Sequence, residues 1–254
     1  MEYHLVLVIV MKIIAFLDNA HYFASVMRVK LGYLFRIFNS IHGEYLCRIT
    51  AIGSSRSKSI TCEVLQQLRQ PPKSHFPCSL ICAPIKKPRL KTLLEKVTEI
   101  GIEQILFVST QNSNSEFPFH SNGEIEQSYQ NILVQSAEQS ERLTIPTIFN
   151  KELTLKQFLQ FLQDGKHQEY LNFARVFVCL ERSEENEKHL LLEVQNLIDE
   201  VRGNAVDSVI EMPSFAVFIG PEGGFSGEET AVLKAFAIEN PSKLQLVSLG
   251  GMVN

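Results

Sequence analysis

Residues 215–229 read Phe-Ala-Val-Phe-Ile-Gly-Pro-Glu-Gly-Gly-Phe-Ser-Gly-Glu-Glu, and no other stretch constrains the fold of this chain as strongly. The apolar run Phe215 to Ile219 has the length and content of a buried strand. It breaks into a loop containing Gly220, Pro221, Gly223 and Gly224. Ser226, followed three residues later by Glu229, is a capping box, so a helix is predicted to start there. Glycine tolerates positive φ and lets backbone approach a ligand closely. A strand, a tight glycine loop and a helix N-terminus together can hold a small polar ligand on backbone amides. The same layout also serves as a plain turn between strand and helix with no ligand.

The 254 residues are 45% apolar and 20% charged, which fits a globular chain of one large domain or two modest ones. Five cysteines, Cys47, Cys62, Cys78, Cys82 and Cys179, are odd in number and lack zinc-ligand spacing. They read as reduced thiols in a reducing cytoplasm. The apolar segment Leu5 to Leu17 is thirteen residues long and carries Lys12. A membrane helix needs about 20 apolar residues, and Glu2 and Asp18 are wrong flanks for a signal peptide. A buried strand is expected, with no membrane partner. Met11 is a plausible true start.

The net charge of −4 argues against a generic nucleic-acid binder, but the distribution is uneven. Residues 1–70 hold eight Lys and Arg against four acids, while the remainder carries sixteen against twenty-four. A basic region joined to an acidic one points to phosphate contact by the first; a solvated strand face with incidental charge is the alternative. Lys86, Lys87, Arg89 and Lys91 form a second basic cluster, readable as a phosphate track or as the ordinary charge of a helix-entry loop.

Short alternating strands are predicted at Tyr33 to Asn39, Glu44 to Ile52 and Ser59 to Leu65, with turn signals between them, suggesting a small barrel. Pro71-Pro72 and Pro77 mark a linker. From Cys78 onward strands and helices alternate. Strands are expected at Cys78 to Ala83, Gln104 to Ser109, Arg175 to Leu180, Phe215 to Ile219 and Gln245 to Leu249. Helices are expected at Leu90 to Gly101, Ile125 to Gln139, Glu187 to Arg202 and Ser226 to Asn240. This order gives an α/β domain on a mainly parallel sheet. Gln135, Glu138, Gln139 and Arg142 are spaced as one polar helical stripe, which is either a solvent face or a substrate-facing one.

Four blocks in order resemble the SPOUT-superfamily methyltransferases, within them the family that methylates N3 of a uridine in 16S ribosomal RNA. They are His21 to Ile52, Lys96 to Gly101, Ser136 to Arg142 with Pro146, and Gly220 to Glu229. Val247-Ser-Leu-Gly250 matches only the beginning of the family's last motif, which continues with Arg, Glu, Thr and Ala on a final helix; this chain stops at Asn254. The loop after Ser109 also departs. The family carries an Arg where Asn112 stands.

The resemblance implies an α/β fold in two parts. The first is a PUA-like β-barrel over residues 1–70; the second is a SPOUT domain over 78–254 with a trefoil-knot cofactor site and its C-terminal helix missing. It implies S-adenosylmethionine as cofactor, lined by Val108, Thr110, Ile219, Gly220, Gly224, Leu249 and Gly250. Arg28, Lys30, Lys86, Glu138 and Arg142 would meet RNA, and Arg142 and Glu222 would carry the catalytic roles. It also implies a cytoplasmic homodimer acting on 16S RNA or the assembled small subunit. Two other readings stay open: an RNA-binding relic inactive for want of the closing helix, and a SPOUT enzyme acting on a different RNA.

Overall fold

The computed structural model describes residues 13–15, 29–53, 60–70, 77–114, 117–120, 123–164, 173–180, 188–203 and 214–249. The chain divides into two compact units, residues 1–73 and 74–254.

The described part of the first unit is a four-stranded antiparallel sheet. It contains β1 (Ile13–Ala15), β2 (Leu34–Asn39), β3 (Gly43–Ile52) and β4 (Ile60–Arg69), in the spatial order β1-β4-β3-β2. The ladder between β3 and β4 shifts register at Glu44/Tyr45, Leu46/Cys47 and Ile49/Ala51, and each shift bends and twists the ribbon. One face gathers Cys47, Cys62, Phe35, Ile37, Tyr45 and Val64. Of the segment expected as a strand from Leu5 to Leu17, only Ile13–Ala15 lies within the described residues.

Glu44 is a buried carboxylate between strands. Arg69 of β4 donates to it at 2.5 Å and Arg36 of β2 lies 3.5 Å from its other oxygen. The Arg69 hydrogen bond, together with the charges of Arg69 and Arg36, holds the Glu44 carboxyl below the usual carboxylate range against the opposing effect of burial. Two of the cations that make this region basic in sequence are therefore engaged within the sheet.

The second unit is built on a parallel sheet. Its strands are β5 (Cys78–Cys82), β6 (Gln104–Ser109), β7 (Thr147–Ile148), β8 (Leu153–Thr154), β9 (Arg175–Cys179), β10 (Lys188–His189), β11 (Phe215–Ile219) and β12 (Leu244–Ser248). They run in the order β10-β12-β9-β11-β5-β6-β7, with β8 also on β6. Apolar runs without alternation form the central strands because both faces are covered. On one face Ile81, Leu106, Val178 and Phe218 meet Phe158 of α3 (Leu155–Asp164) and Leu233 and Phe236 of α5 (Gly227–Glu239). On the other, Leu80, Ile105 and Phe107 meet Leu90, Leu94 and Val97 of α1 (Lys87–Ile100) and Tyr129 and Leu133 of α2 (Gln127–Gln139). Leu197 of α4 (Leu190–Gly203) covers Phe177 and Val247 on that same face.

Several boundaries differ from the sequence reading. The first helix begins at Lys87 because Pro88 fits a first turn, where its missing N–H is not needed. Lys188–His189 pairs beside β12 as a short edge strand before α4 begins. Helix α3 has no counterpart in the sequence reading, although Leu155, Phe158 and Leu159 are spaced for one buried face. The helix carrying Glu138 ends at Gln139, so Arg142 does not continue its stripe. Ser140 caps the helix and Glu141 adopts φ 53°, which turns the chain out of the helical path.

Candidate functional site

All strands of the second sheet run parallel, so their carboxyl ends share one edge. Open α/β sheets bind ligands in the crevice at that edge. In this chain the edge carries, in spatial order, Leu249 after β12, Leu180 after β9, Gly220 after β11, Ala83 after β5 and Thr110 after β6. The glycine loop thus sits at the middle of the edge. The loop and Leu249 flank the end of β9 rather than abutting, two strand spacings or about 10 Å apart. Gly250, and the segment expected to close a knot, lie outside the described residues.

The loop is folded on itself. The Gly224 N–H donates to the Pro221 carbonyl at 2.9 Å, closing a turn, and Gly224 has φ 71°, where a side chain would be strained. Phe225 turns back over Gly220, and a Cβ on Gly220 would lie 2.7 Å from its ring. The ring also meets Phe218 edge-on at 5.4 Å between centroids. Gly220 is therefore required by Phe225 within the protein. Ser226 then caps α5: its Oγ accepts from the Glu229 N–H at 3.2 Å, and its own N–H donates to the Glu229 carboxylate at 2.9 Å.

The loop after β6 is fastened to this one. Asn112 Nδ2 donates to the carbonyls of Gly224 at 3.0 Å and Gly223 at 3.4 Å. The Gln111 N–H donates to Glu229 Oε1 at 2.7 Å, and the Asn114 N–H to the Pro84 carbonyl at 3.2 Å. The capping box is legible in the sequence, and Asn112 stands out there as a departure from the family pattern, but its bridge to the glycine loop and the second bond of Glu229 are not legible. Neither contact has a local signal, since the partners are more than a hundred residues apart.

Polar and apolar features at this edge suit an adenosyl ligand. Ile219 and Leu249 keep 44% and 37% of their surface exposed, and Ile219 does so between the buried Cys82 and Cys179 of the neighbouring strands. Thr110 Oγ1 is buried with no hydrogen-bond partner among the described residues. The orphaned hydroxyl and the exposed Ile219 stand two strand spacings apart on this edge, about 10 Å, and offer a ligand one polar and one apolar contact. Val108 is wholly buried in the core and contributes position only. Ile219 is flanked in register by Cys82 and Cys179; burial pushes their thiols up to about 12 and about 11. Both are protonated near neutrality and unsuited to nucleophilic work.

Two charged candidates also stand here. Glu222 is exposed in the glycine loop and forms an ion pair with Arg89 of α1. Lys86 is the exposed residue preceding α1.

The structure does not bring Arg142 to this edge. α1 and α2 both run back along the sheet, so Gly101 and Arg142 lie at the opposite, amino edge, before β6 and β7 begin. Arg142 Nε donates to the Glu99 carbonyl at 2.6 Å, and its guanidinium lies over Gly101. Among the described residues only that nitrogen of its side chain has a hydrogen-bond partner. Six residues of β6 separate the two edges, about 20 Å. Glu138, exposed near the end of α2, shares the amino edge. Lys30 is exposed at a turn before β2 in the first unit, and Arg28 lies outside the described residues.

The RNA methyltransferase domain family matches residues 72–248, and the RNA methyltransferase PUA domain family matches residues 18–62. Over 218 residues the chain is 26% identical to ribosomal RNA small subunit methyltransferase E of Rickettsia conorii, spanning 86% of this chain and 75% of that protein. The fold is similar to a ribosomal RNA small subunit methyltransferase E from Neisseria gonorrhoeae bound to S-adenosyl methionine, with TM-score 0.63, 18% identity, and 93% of this chain and 83% of that one covered. It is also similar to a methyltransferase from Legionella pneumophila in complex with the same cofactor, with TM-score 0.61, 19% identity, and 96% and 85% covered. At these identities the two structures bear on fold alone. No helix among the described residues is long and apolar enough to cross a membrane.

Proposed function

The chain belongs to the RNA methyltransferase family, and from that premise we propose that it methylates N3 of a uridine in 16S ribosomal RNA, using S-adenosylmethionine, as a cytoplasmic homodimer. The observation that carries the cofactor reading is the carboxyl edge, where the orphaned Thr110 hydroxyl and the exposed faces of Ile219 and Leu249 surround a self-folded glycine loop. Gly220, Gly224 and Thr110 would hold polar groups there, Ile219 and Leu249 would take apolar surface, and Val108 and Gly250 would complete the walls.

When bound, S-adenosylmethionine supplies an electrophilic methyl carbon. The chain then has to hold uridine N3 in line with that carbon, where misplacement by about 1 Å lowers the rate steeply. N3 must also lose its proton. Glu222, in the glycine loop, is the carboxylate proposed to take it. Arg142 is proposed to stabilise the uridine anion or an adjacent phosphate through its terminal nitrogens, with Glu138 beside it.

Arg142 and the glycine loop occupy opposite edges of one sheet, so they can serve one reaction only across a subunit interface. This supports the homodimer. Helix α5 supplies a second observation. Leu233 and Phe236 are buried on its inner face, yet Val232 and Ile238 on its outer side are 49% and 80% exposed, with exposed Ala231 and Ala235 between them. A helix that is apolar on both faces expects cover on both. RNA would be gripped by Arg28 and Lys30 in the first unit and by Lys86 in the second. Loss of one phosphate-contacting cation lowers the salt slope of binding by about one.

Calorimetric titration of the protein with S-adenosylmethionine tests the reading. Saturable one-to-one binding that is lost in Gly220→Val is expected. Absence of binding by the parent chain would reject it.

A further inference from the structure

The geometry points to Asn112 and Glu229 as positioning residues that lock the loop after β6 onto the glycine loop and so set the shape of the cofactor site. This inference rests on the cofactor reading above. The two loops leave different strands, β6 and β11, with β5 between them. Left to themselves, such loops would move independently, because turns at strand ends share no ladder bonds. Here they are joined at two points.

The first is Asn112. Its amide donates to two consecutive carbonyls, those of Gly223 and Gly224, and its Cβ lies 3.4 Å from where a Gly223 Cβ would stand. These carbonyls belong to the turn closed by the Gly224 N–H. Fixing them fixes the orientation of the peptide planes that any ligand at this loop would meet.

The second is Glu229. One carboxylate oxygen accepts from the Ser226 N–H at 2.9 Å and the other from the Gln111 N–H at 2.7 Å. A capping-box carboxylate ordinarily serves its own helix. Here it also accepts from a backbone amide 118 residues away, and that amide belongs to the residue after Thr110. The two residues that follow Thr110 in the chain, Gln111 and Asn112, thus tie its loop to the glycine loop and to the start of α5. A neutral side chain at position 112 suits this task, since a carbonyl pair is matched by the two N–H groups of one amide.

Three variants separate the lock from helix capping. Ser226→Ala removes one bond of the capping box but leaves the Glu229–Gln111 bond. Glu229→Gln keeps the shape but puts an amide donor against either the Ser226 or the Gln111 N–H. Asn112→Ala removes the carbonyl bridge without touching α5. The measurements are amide hydrogen exchange at Gln111 and Gly224 in the free protein, thermal stability, and S-adenosylmethionine affinity by calorimetry.

The inference expects Asn112→Ala and Glu229→Gln each to weaken binding about tenfold, the scale of one or two net hydrogen bonds. It expects Glu229→Gln to speed exchange at Gln111, and Ser226→Ala to leave both affinity and that exchange near the parent's. Unchanged affinity in Asn112→Ala and Glu229→Gln overturns it, as does an equal loss in Ser226→Ala. Fast Gln111 exchange in the parent also overturns it while leaving the cofactor reading intact. Failure of the parent to bind at all overturns both, and the parent titration alone identifies that case.

Discussion

The guanidinium of Arg142 lies over Gly101, with its Nε donating to the Glu99 carbonyl at 2.6 Å. Gly101 ends α1 at φ 87°, and its N–H bonds back to Val97 and Thr98. A Cβ at that position would stand 2.1 Å from Arg142 Nη1. The cation sits at a helix C-terminus, where unpaired carbonyls and the helix dipole favour it. Gly101→Ala is expected to destabilise the protein by about 1–2 kcal/mol, from the left-handed backbone and the displaced guanidinium together. In an Arg142→Ala background only the backbone part remains. Urea unfolding of the four proteins of this cycle measures the difference, and equal effects in both backgrounds would contradict the contact.

The same placement gives a test of the shared site. Arg142→Ala and Gly220→Val are each expected to lose methyl transfer, for different reasons and at different edges of the sheet. In the proposed homodimer, co-refolding the two variants pairs one intact amino edge with one intact glycine loop. Recovery of activity on mixing is the expected result. A mixture as inactive as its components would place Arg142 outside the chemistry and leave it a structural cap of α1.

Phe225 decides what Gly220 tolerates. A methyl group on Gly220 falls within 3.0 Å of three atoms of that ring, so Gly220→Ala is expected to cost about 1–3 kcal/mol through overpacking. The cost should shrink in a Phe225→Leu background, where the side chain can withdraw. Thermal unfolding of both pairs checks this; an undiminished cost would mean that the backbone rather than the ring excludes a side chain.

Acid stability of the first unit should depend on Glu44. Its carboxyl is held below the ordinary range, first by the Arg69 hydrogen bond. A depressed folded-state pKa contributes stability above the unfolded value, about 4.3 for glutamate, and that contribution is lost as pH falls through the folded value. Arg69 and Arg36 are partly exposed, so solvent screening keeps the contribution modest. Glu44→Gln is expected to lower stability near neutrality and to flatten its decline on acidification. Parallel pH profiles of the variant and the parent would contradict this assignment.

Legibility in the sequence followed the range of the interactions. Phe215–Ile219 and Gln104–Ser109 were readable as strands because a parallel sheet covered on both faces demands short, continuous apolar runs. The capping box at Ser226 was readable because its two partners are three residues apart. Helix α3 offered the same kind of signal in Leu155, Phe158 and Leu159 and could have been read. The position of Arg142 could not, because one residue with positive φ, Glu141, redirects the chain after a helix whose periodicity points straight on. The Asn112 and Gln111 contacts depend on which strands neighbour one another, and β11 beside β5 is a tertiary fact. The cofactor loop was thus legible as a motif, whereas its partners were not.

Mapping the methyl group tests the central claim most directly. The protein, S-adenosylmethionine labelled in its methyl group, and small ribosomal subunits lacking uridine-N3 methylation are incubated together. The 16S RNA is then digested and analysed by mass spectrometry, with reverse transcription to locate the blocked base-pairing face. The account predicts label in a single N3-methyluridine. Label in another base, at another atom or in another RNA, or no transfer by a chain that binds the cofactor, would contradict it.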